Sequence, residues 1–308
     1  MSISFKSNRY HLNIPKFSKI PWRPPLKKRW FKYKPNIDFY EETTTSIIAF
    51  ILEQYNVRNF FDIGASTGYF TRLCLSFLPR EVNIYAFEML PTRLSELKSA
   101  IHDTIRENQI GKAYCAGLSS LHKGMTTVWY SVTRLYETKP DEKIYRDPWW
   151  TKIKFALRGK LNRDELTKVE IEITTIDEFT RRTNVIPDLI KIDVDGHEAL
   201  VLEGGQRTFR EHAPLILLEL HKDKFLAKTN RDRYAVVKIL FNLGYKAILI
   251  DDHHDLRTKI IDVSEGDSLI GRQMTDMLLF WSEKCISRIG VTELINEKTS
   301  QKKGRQTG

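Results

Sequence analysis

Between residues 59 and 281 the chain alternates short apolar runs with longer segments whose apolar residues recur at helical spacing, and this alternation constrains its fold more than any other feature. "RNFFDI", "VNIYAFE", "KAYCAGL", "MTTVWYSV", "KVEIEI", "DLIKIDV", "PLILLEL", "YKAILI" and "DMLLFWS" read as strands. "GYFTRLCLSFLP", the stretch from Pro91 to about Asn108, "TIDEFTRRT", "HEALVLEGGQRTFREH" as one helix, and residues 231–243 read as helices. Apolar strands separated by helices predict an α/β fold, a mostly parallel sheet covered by helices on both faces. Ligands of such sheets bind beyond the carboxyl ends of the strands, so polar residues at those ends are the candidates for function.

The first core strand ends in Asp62, followed by Gly64, Ala65 and Gly68. Two glycines there let the backbone turn sharply and leave room for a ligand against the next helix's N-terminus, although a plain turn accounts for them equally well. Their spacing differs from the dinucleotide fingerprint. The second strand ends in Glu88, where a carboxylate can accept hydrogen bonds from the two ribose hydroxyls of a nucleoside. Together these point to an adenosine-containing ligand. "PDLIKIDVDGHEALVLEGG" then delivers Asp193, Asp195, His197 and Glu198 to one strand end and the following helical turn, and "LILLELH" brings Glu219 and His221 to the same edge. Such groups suit proton abstraction from a hydroxyl, and they equally suit a divalent metal such as Mg2+. His221, which can be neutral near pH 7, is a candidate base. His197 is expected to pack one turn into its helix. "DPWW" (147–150) follows a charged stretch rather than a buried strand and is set aside, and "DDHHD" (251–255) reads as a solvated loop.

Charge divides the chain into parts. Residues 1–38 hold ten Lys/Arg against Asp38 alone, and residues 297–308 hold four against Glu297, leaving 35 bases against 37 acids between them. An irregular, Pro-punctuated basic arm (1–45), a main domain (46–285) with an insertion at 133–165 that contributes to an acceptor site, and a flexible basic tail (286–308) follow from this. The basic ends can meet an anionic surface or polymer, and they can as well be solvated tails. No apolar run approaches the ~20 residues that span a bilayer. Three scattered cysteines fit reduced thiols in a cytoplasmic protein.

"FFDIGASTGYF", "YAFEMLPTRLSEL", "CAGLSS", "TTIDEF", "PDLIKIDVDGHEALVLEGG" and "PLILLELH", in this order, resemble the FkbM family of S-adenosylmethionine (SAM)-dependent methyltransferases. The resemblance covers roughly residues 57–222. It implies a Rossmann-like class I methyltransferase sheet of seven strands with the last antiparallel, and methyl transfer to a hydroxyl-bearing acceptor such as a sugar, a glycan or a small metabolite. It implies Asp62, Gly64, Ala65 and Gly68 around the methionine end of SAM, with the glycines present because that ligand lies against them. It implies Glu88 on the ribose, and Gly117 and Leu118 at the third strand's end. Asp193 is implied beside the transferring methyl, with His221 and Glu219 as further catalytic candidates. Two other functions compete: a nucleic-acid or protein methyltransferase that grips phosphates with the basic arms, and a non-catalytic scaffold of the same fold.

Overall fold

The computed structural model describes residues 2–6, 10–15, 41–77, 82–105, 107, 109–130, 135–136, 139, 167–251, 253–254, 259–289 and 295–297. Its strands are β1 (Ser2–Lys6), β2 (Tyr10–Pro15), β3 (Asn59–Ile63), β4 (Asn83–Glu88), β5 (Gly111–Leu118), β6 (Gly124–Tyr130), β7 (Leu135–Tyr136), β8 (Thr167–Thr174), β9 (Leu189–Ile192), β10 (Leu215–Leu220), β11 (Lys246–Ile250), β12 (Ile260–Val263), β13 (Asp276–Trp281) and β14 (Ile295–Glu297). The α-helices are α1 (Glu42–Gln54), α2 (Tyr69–Phe77), α3 (Pro91–His102), α4 (Ile176–Thr183), α5 (Glu198–Glu203), α6 (Gln206–His212), α7 (Asp223–Leu226), α8 (Arg233–Phe241) and α9 (Glu283–Ile289).

The expected α/β sheet is present, but it is wider than seven strands. Eleven strands join in the order β12-β11-β13-β10-β9-β3-β4-β5-β8-β6-β7. The run β10-β9-β3-β4-β5-β8 is parallel throughout. β13 lies antiparallel between β10 and β11. The inner seven, β11 to β5, are the seven-stranded unit with its last strand antiparallel; β12 extends one edge, and β8, β6 and β7 extend the other. β12 escaped the sequence reading because "IIDV" is four residues long with both middle side chains half-buried, too short for a clear period. β6 and β8 were legible as strands, but nothing local to them specified that they add to the same sheet.

Side-chain alternation explains why the inner strands are apolar on both faces over most of their length. Phe60 faces a core shared with α1, α2 and α3, while Phe61 next to it faces a second core shared with α4, α5 and α8. Both faces are therefore dry. Two helix readings are corrected. α3 stops at His102, six residues short of Asn108, and the segment after His197 is two helices. The break falls at Gly204, where a Cβ would stand 2.0 Å from the Ser119 carbonyl oxygen, so a neighbouring loop occupies the space a side chain would need.

The chain ends also depart from expectation. α1 begins at Glu42, inside the arm as it was bounded from sequence. β1 and β2 pair antiparallel, and β14 from the tail pairs with β2, giving a separate three-stranded sheet. The alternation in "SISFK" and "YHLNI" is the signal for these strands, and the prolines and charges around it outweighed it. "DPWW" and most of the 133–165 insertion lie outside the described residues. Among the described residues, no helix is long and apolar enough to cross a membrane.

Candidate functional site

The polar residues singled out from sequence gather along the carboxyl ends of β3, β4, β9 and β10, four neighbouring strands. They form two halves. In the β3–β4 half, the turn from Gly64 to Gly68 includes Ser66 at φ 53°, a left-handed conformation costly for a non-glycine residue. Glu88 holds it there. Its Oε2 accepts from the Ser66 amide (2.9 Å) and its Oε1 from the Leu90 amide (2.7 Å), and burial raises its pKa against these bonds. Asp62 is buried beneath the turn. Its Oδ2 accepts from the Thr71 hydroxyl at 2.7 Å, whereas its Oδ1 has no partner among the described residues. Burial raises its pKa, with the nearby Lys191 charge opposing.

Packing within the protein is itself a reason for the two glycines. A Cβ on Gly64 (φ 80°) would lie 1.8 Å from the Asp193 carbonyl oxygen, and one on Gly68 would lie 2.7 Å from Leu97 Cδ1. The space beside them is filled by the protein's own β9 end and α3. Gly117 and Leu118 close β5, and Gly117 faces Ile173 and Met89.

The β9–β10 half carries the charge. His221 donates or accepts at both ring nitrogens: Nδ1 stands 2.6 Å from Glu198 Oε1, and Nε2 faces Asp195 Oδ1 (3.4 Å), Glu219 Oε1 (3.8 Å) and Asp193 Oδ1 (4.0 Å). Burial pushes the imidazole pKa down, but the hydrogen bonds to Asp195 and Glu198 and the Glu198 and Glu219 charges raise it to about 10. His221 is therefore protonated at neutral pH, which corrects the expectation of a neutral base. Glu219 moves the other way from a normal acid: burial and the charges of Asp193 and Glu41 raise it to about 8. Asp195 sits at φ 49° with its carboxylate largely in solvent, and its bond to His221 lowers its pKa.

Several members of this half were not foreseen. Lys191, 1% exposed in the middle of β9, reaches Asp193 Oδ2 at 3.2 Å and lies 4.8 Å over the Phe70 ring. Burial disfavours its charge, but Asp193, Glu41, Asp62 and Glu219 together raise its pKa. A lysine inside the apolar run "LIKI" was the available signal. Glu198, fully buried, was noted from sequence only as one charge among four, yet it orients His221 and accepts from the Gly196 amide. Arg233 of α8, also fully buried, donates from Nη1 to the carbonyls of Leu220 (2.8 Å) and His221 (2.9 Å) and pairs with Asp276 of β13. That fixes the backbone from which the imidazole projects. His197 is exposed at the N-cap of α5 rather than packed within it.

The "DDHHD" segment is likewise not a simple solvated loop. His253 is buried, its carbonyl accepts from the Thr43 and Thr44 amides at the start of α1, and it lies within electrostatic reach of Lys191 and His221. Burial and its neighbour His254 lower its pKa to about 3, so it is neutral. Glu41, at φ 45° on the other side of that contact, is buried as well.

A family model described as the methyltransferase FkbM domain matches residues 62–260. No curated protein matches the chain. Solved structures similar to it include a methyltransferase FkbM from Methylobacillus flagellatus KT, at 16% identity over 73% of this chain and 44% of that one, with a TM-score of 0.41. Another is a precorrin-6y C5,15-methyltransferase from Geobacter metallireducens GS-15, at 12% identity over 77% and 88% of the two chains, with a TM-score of 0.37. A third is an O-methyltransferase from Bacillus cereus in complex with SAH, at 10% identity over 79% and 80%, with a TM-score of 0.35. The chain spans less than half of the first of these proteins.

Proposed function

The chain belongs to the FkbM methyltransferase family, and we propose that it transfers a methyl group from S-adenosylmethionine to a hydroxyl oxygen of a sugar, a glycan or a small metabolite. The observation that carries this reading is the convergence of a carboxylate-held imidazole, His221 on Glu198 at 2.6 Å, with Asp193 and Glu219 on the sheet edge that also bears the Gly64–Gly68 turn and Glu88.

The residues present fit the cofactor. Each Glu88 oxygen accepts one backbone amide and keeps a lone pair, so the carboxylate can still accept from two ribose hydroxyls. The unpartnered, buried Oδ1 of Asp62 suits a donor such as an ammonium group. Ala65 and Gly68 belong to the turn after β3, and Gly117 and Leu118 end β5; we assign them to the rest of the cofactor. When bound, SAM supplies an activated methyl group on a sulfonium.

A hydroxyl that accepts a methyl must lose its proton as the new bond forms. Asp193, exposed by about a quarter at its side chain, is the proton acceptor we assign. Lys191 fixes Asp193 by one oxygen and leaves the other toward His221. The protonated imidazole balances charge on the attacking side, and positioning supplies much of the rate. Calorimetry with SAM, followed by methyl transfer to a panel of hydroxyl acceptors, tests the proposal. A folded protein with no measurable affinity for SAM would overturn it.

A further inference from the structure

We propose that Asp193, Glu219 and His221 form a site for one divalent first-row metal ion. Each offers one donor atom, and the three atoms lie within 4.8 Å of one another. His221 Nε2 stands 3.8 Å from Glu219 Oε1 and 4.0 Å from Asp193 Oδ1. Bonds of about 2.1 Å to a central ion require only a small contraction of that triangle.

Three further observations point the same way. Glu219 is 9% exposed, and its Oε2 has no hydrogen-bond partner among the described residues. A buried carboxylate oxygen without a donor is costly, and a cation held by that carboxylate offsets the cost. The His221 ring is held as a ligand imidazole is held: Nδ1 lies on the buried Glu198 carboxylate, so Nε2 faces the other donors. It gives up its proton to a metal, as any coordinating histidine does. Asp193 is held similarly, with Lys191 on Oδ2 and Oδ1 left toward the centre.

The carboxylates of Asp193, Asp195, Glu198 and Glu219 surround His221, with Lys191 on Asp193 and with Lys228 and Arg93 within electrostatic reach of Asp195. From the α1 side come Glu41, a further acid, and neutral His253. Two carboxylates and one imidazole suit Mn2+, Fe2+ or Zn2+ better than Mg2+, which prefers oxygen alone. Resting on the methyltransferase reading, the ion would bind the acceptor hydroxyl and lower its pKa.

Mn2+ titration followed by electron paramagnetic resonance, on full-length protein dialysed against chelator, tests the site. One ion per chain is expected in the wild type. Glu219→Gln and His221→Ala are each expected to weaken binding by at least 10-fold, and Glu198→Gln by about 10–100-fold as an outer-shell change. Circular dichroism shows which variants keep their fold, and SAM affinity, measured in parallel, is expected to stay near wild type in those that do. No Mn2+ binding by the wild type, or equal binding by a folded Glu219→Gln protein, would overturn the site while leaving the methyltransferase reading intact. Loss of SAM affinity in the wild type would overturn that reading and leave the metal titration standing.

Discussion

The two halves of the sheet edge solve the same problem, a buried acid at a strand end, in opposite ways. At the end of β4 the Glu88 oxygens are met by backbone amides, those of Leu90 and Ser66. At the ends of β9 and β10 the acids are met by side chains instead, by Lys191, by an imidazole and by one another. Fixed dipoles that need no titration suit holding a ligand that is the same in every turnover. A cluster of titratable side chains suits, on the proposed function, the side where a proton is taken from the acceptor. The difference is one between a mould and a reagent.

Four experiments would break or sharpen this contrast. The largest effect is expected where the halves touch. Gly64→Val places a Cβ against the Asp193 carbonyl at a positive φ, so stability should fall by about 4 kcal/mol or more. A thermal melt checks it, and a variant that melts like wild type would mean the strands can separate there without cost. His221→Ala comes next. Loss of the group that balances charge on the attacking side should lower turnover by about two orders of magnitude with SAM affinity near wild type, and an equal loss of both in steady-state kinetics and calorimetry would erase the division of labour.

In the quieter half, Glu88→Ala should weaken SAM by about 1.5–3 kcal/mol, the range for hydrogen bonds to a charged group. Calorimetry that finds no change would remove Glu88 from the ligand. The smallest expected effect is on pH. In chelated protein, Glu219, raised to about 8, favours the folded state below its unfolded pKa near 4.5 and loses that contribution as pH rises through 8. His221 does the same from about 6.5, with its contribution lost as pH rises through 10. Both slopes have one sign, so the melting temperature should fall between pH 6 and 10, and Glu219→Gln should flatten the lower part of that fall. A flat profile in the wild type would show that the cluster does not titrate as a buried unit.

The same contrast governs what could be read from sequence. The glycine turn, Glu88, Asp193 and His221 were legible because each closes a local pattern: an apolar run, then a polar residue at a strand end. Lys191 was hidden inside such a run. Glu198 was visible as a charge, but its bond to His221 crosses 23 residues. His253 and Glu41 were missed because loops converge only after the sheet has formed, and a loop histidine carries no period. The inner seven strands were readable for the reason the outer four were not placed: strands buried on both faces announce themselves, and edge strands take their order from their neighbours.

The small sheet at the chain ends has a consequence for timing. β2 cannot gain its second neighbour until Ile295–Glu297 is available to pair with Tyr10–Leu12, about 280 residues away along the chain. On a ribosome, the parallel sheet and both its cores have been synthesised before that last strand emerges. Among the described strand pairings, the one between β2 and β14 spans the longest stretch of chain, so it is expected to form late. During that interval β2 presents an open edge to whatever else the cell offers.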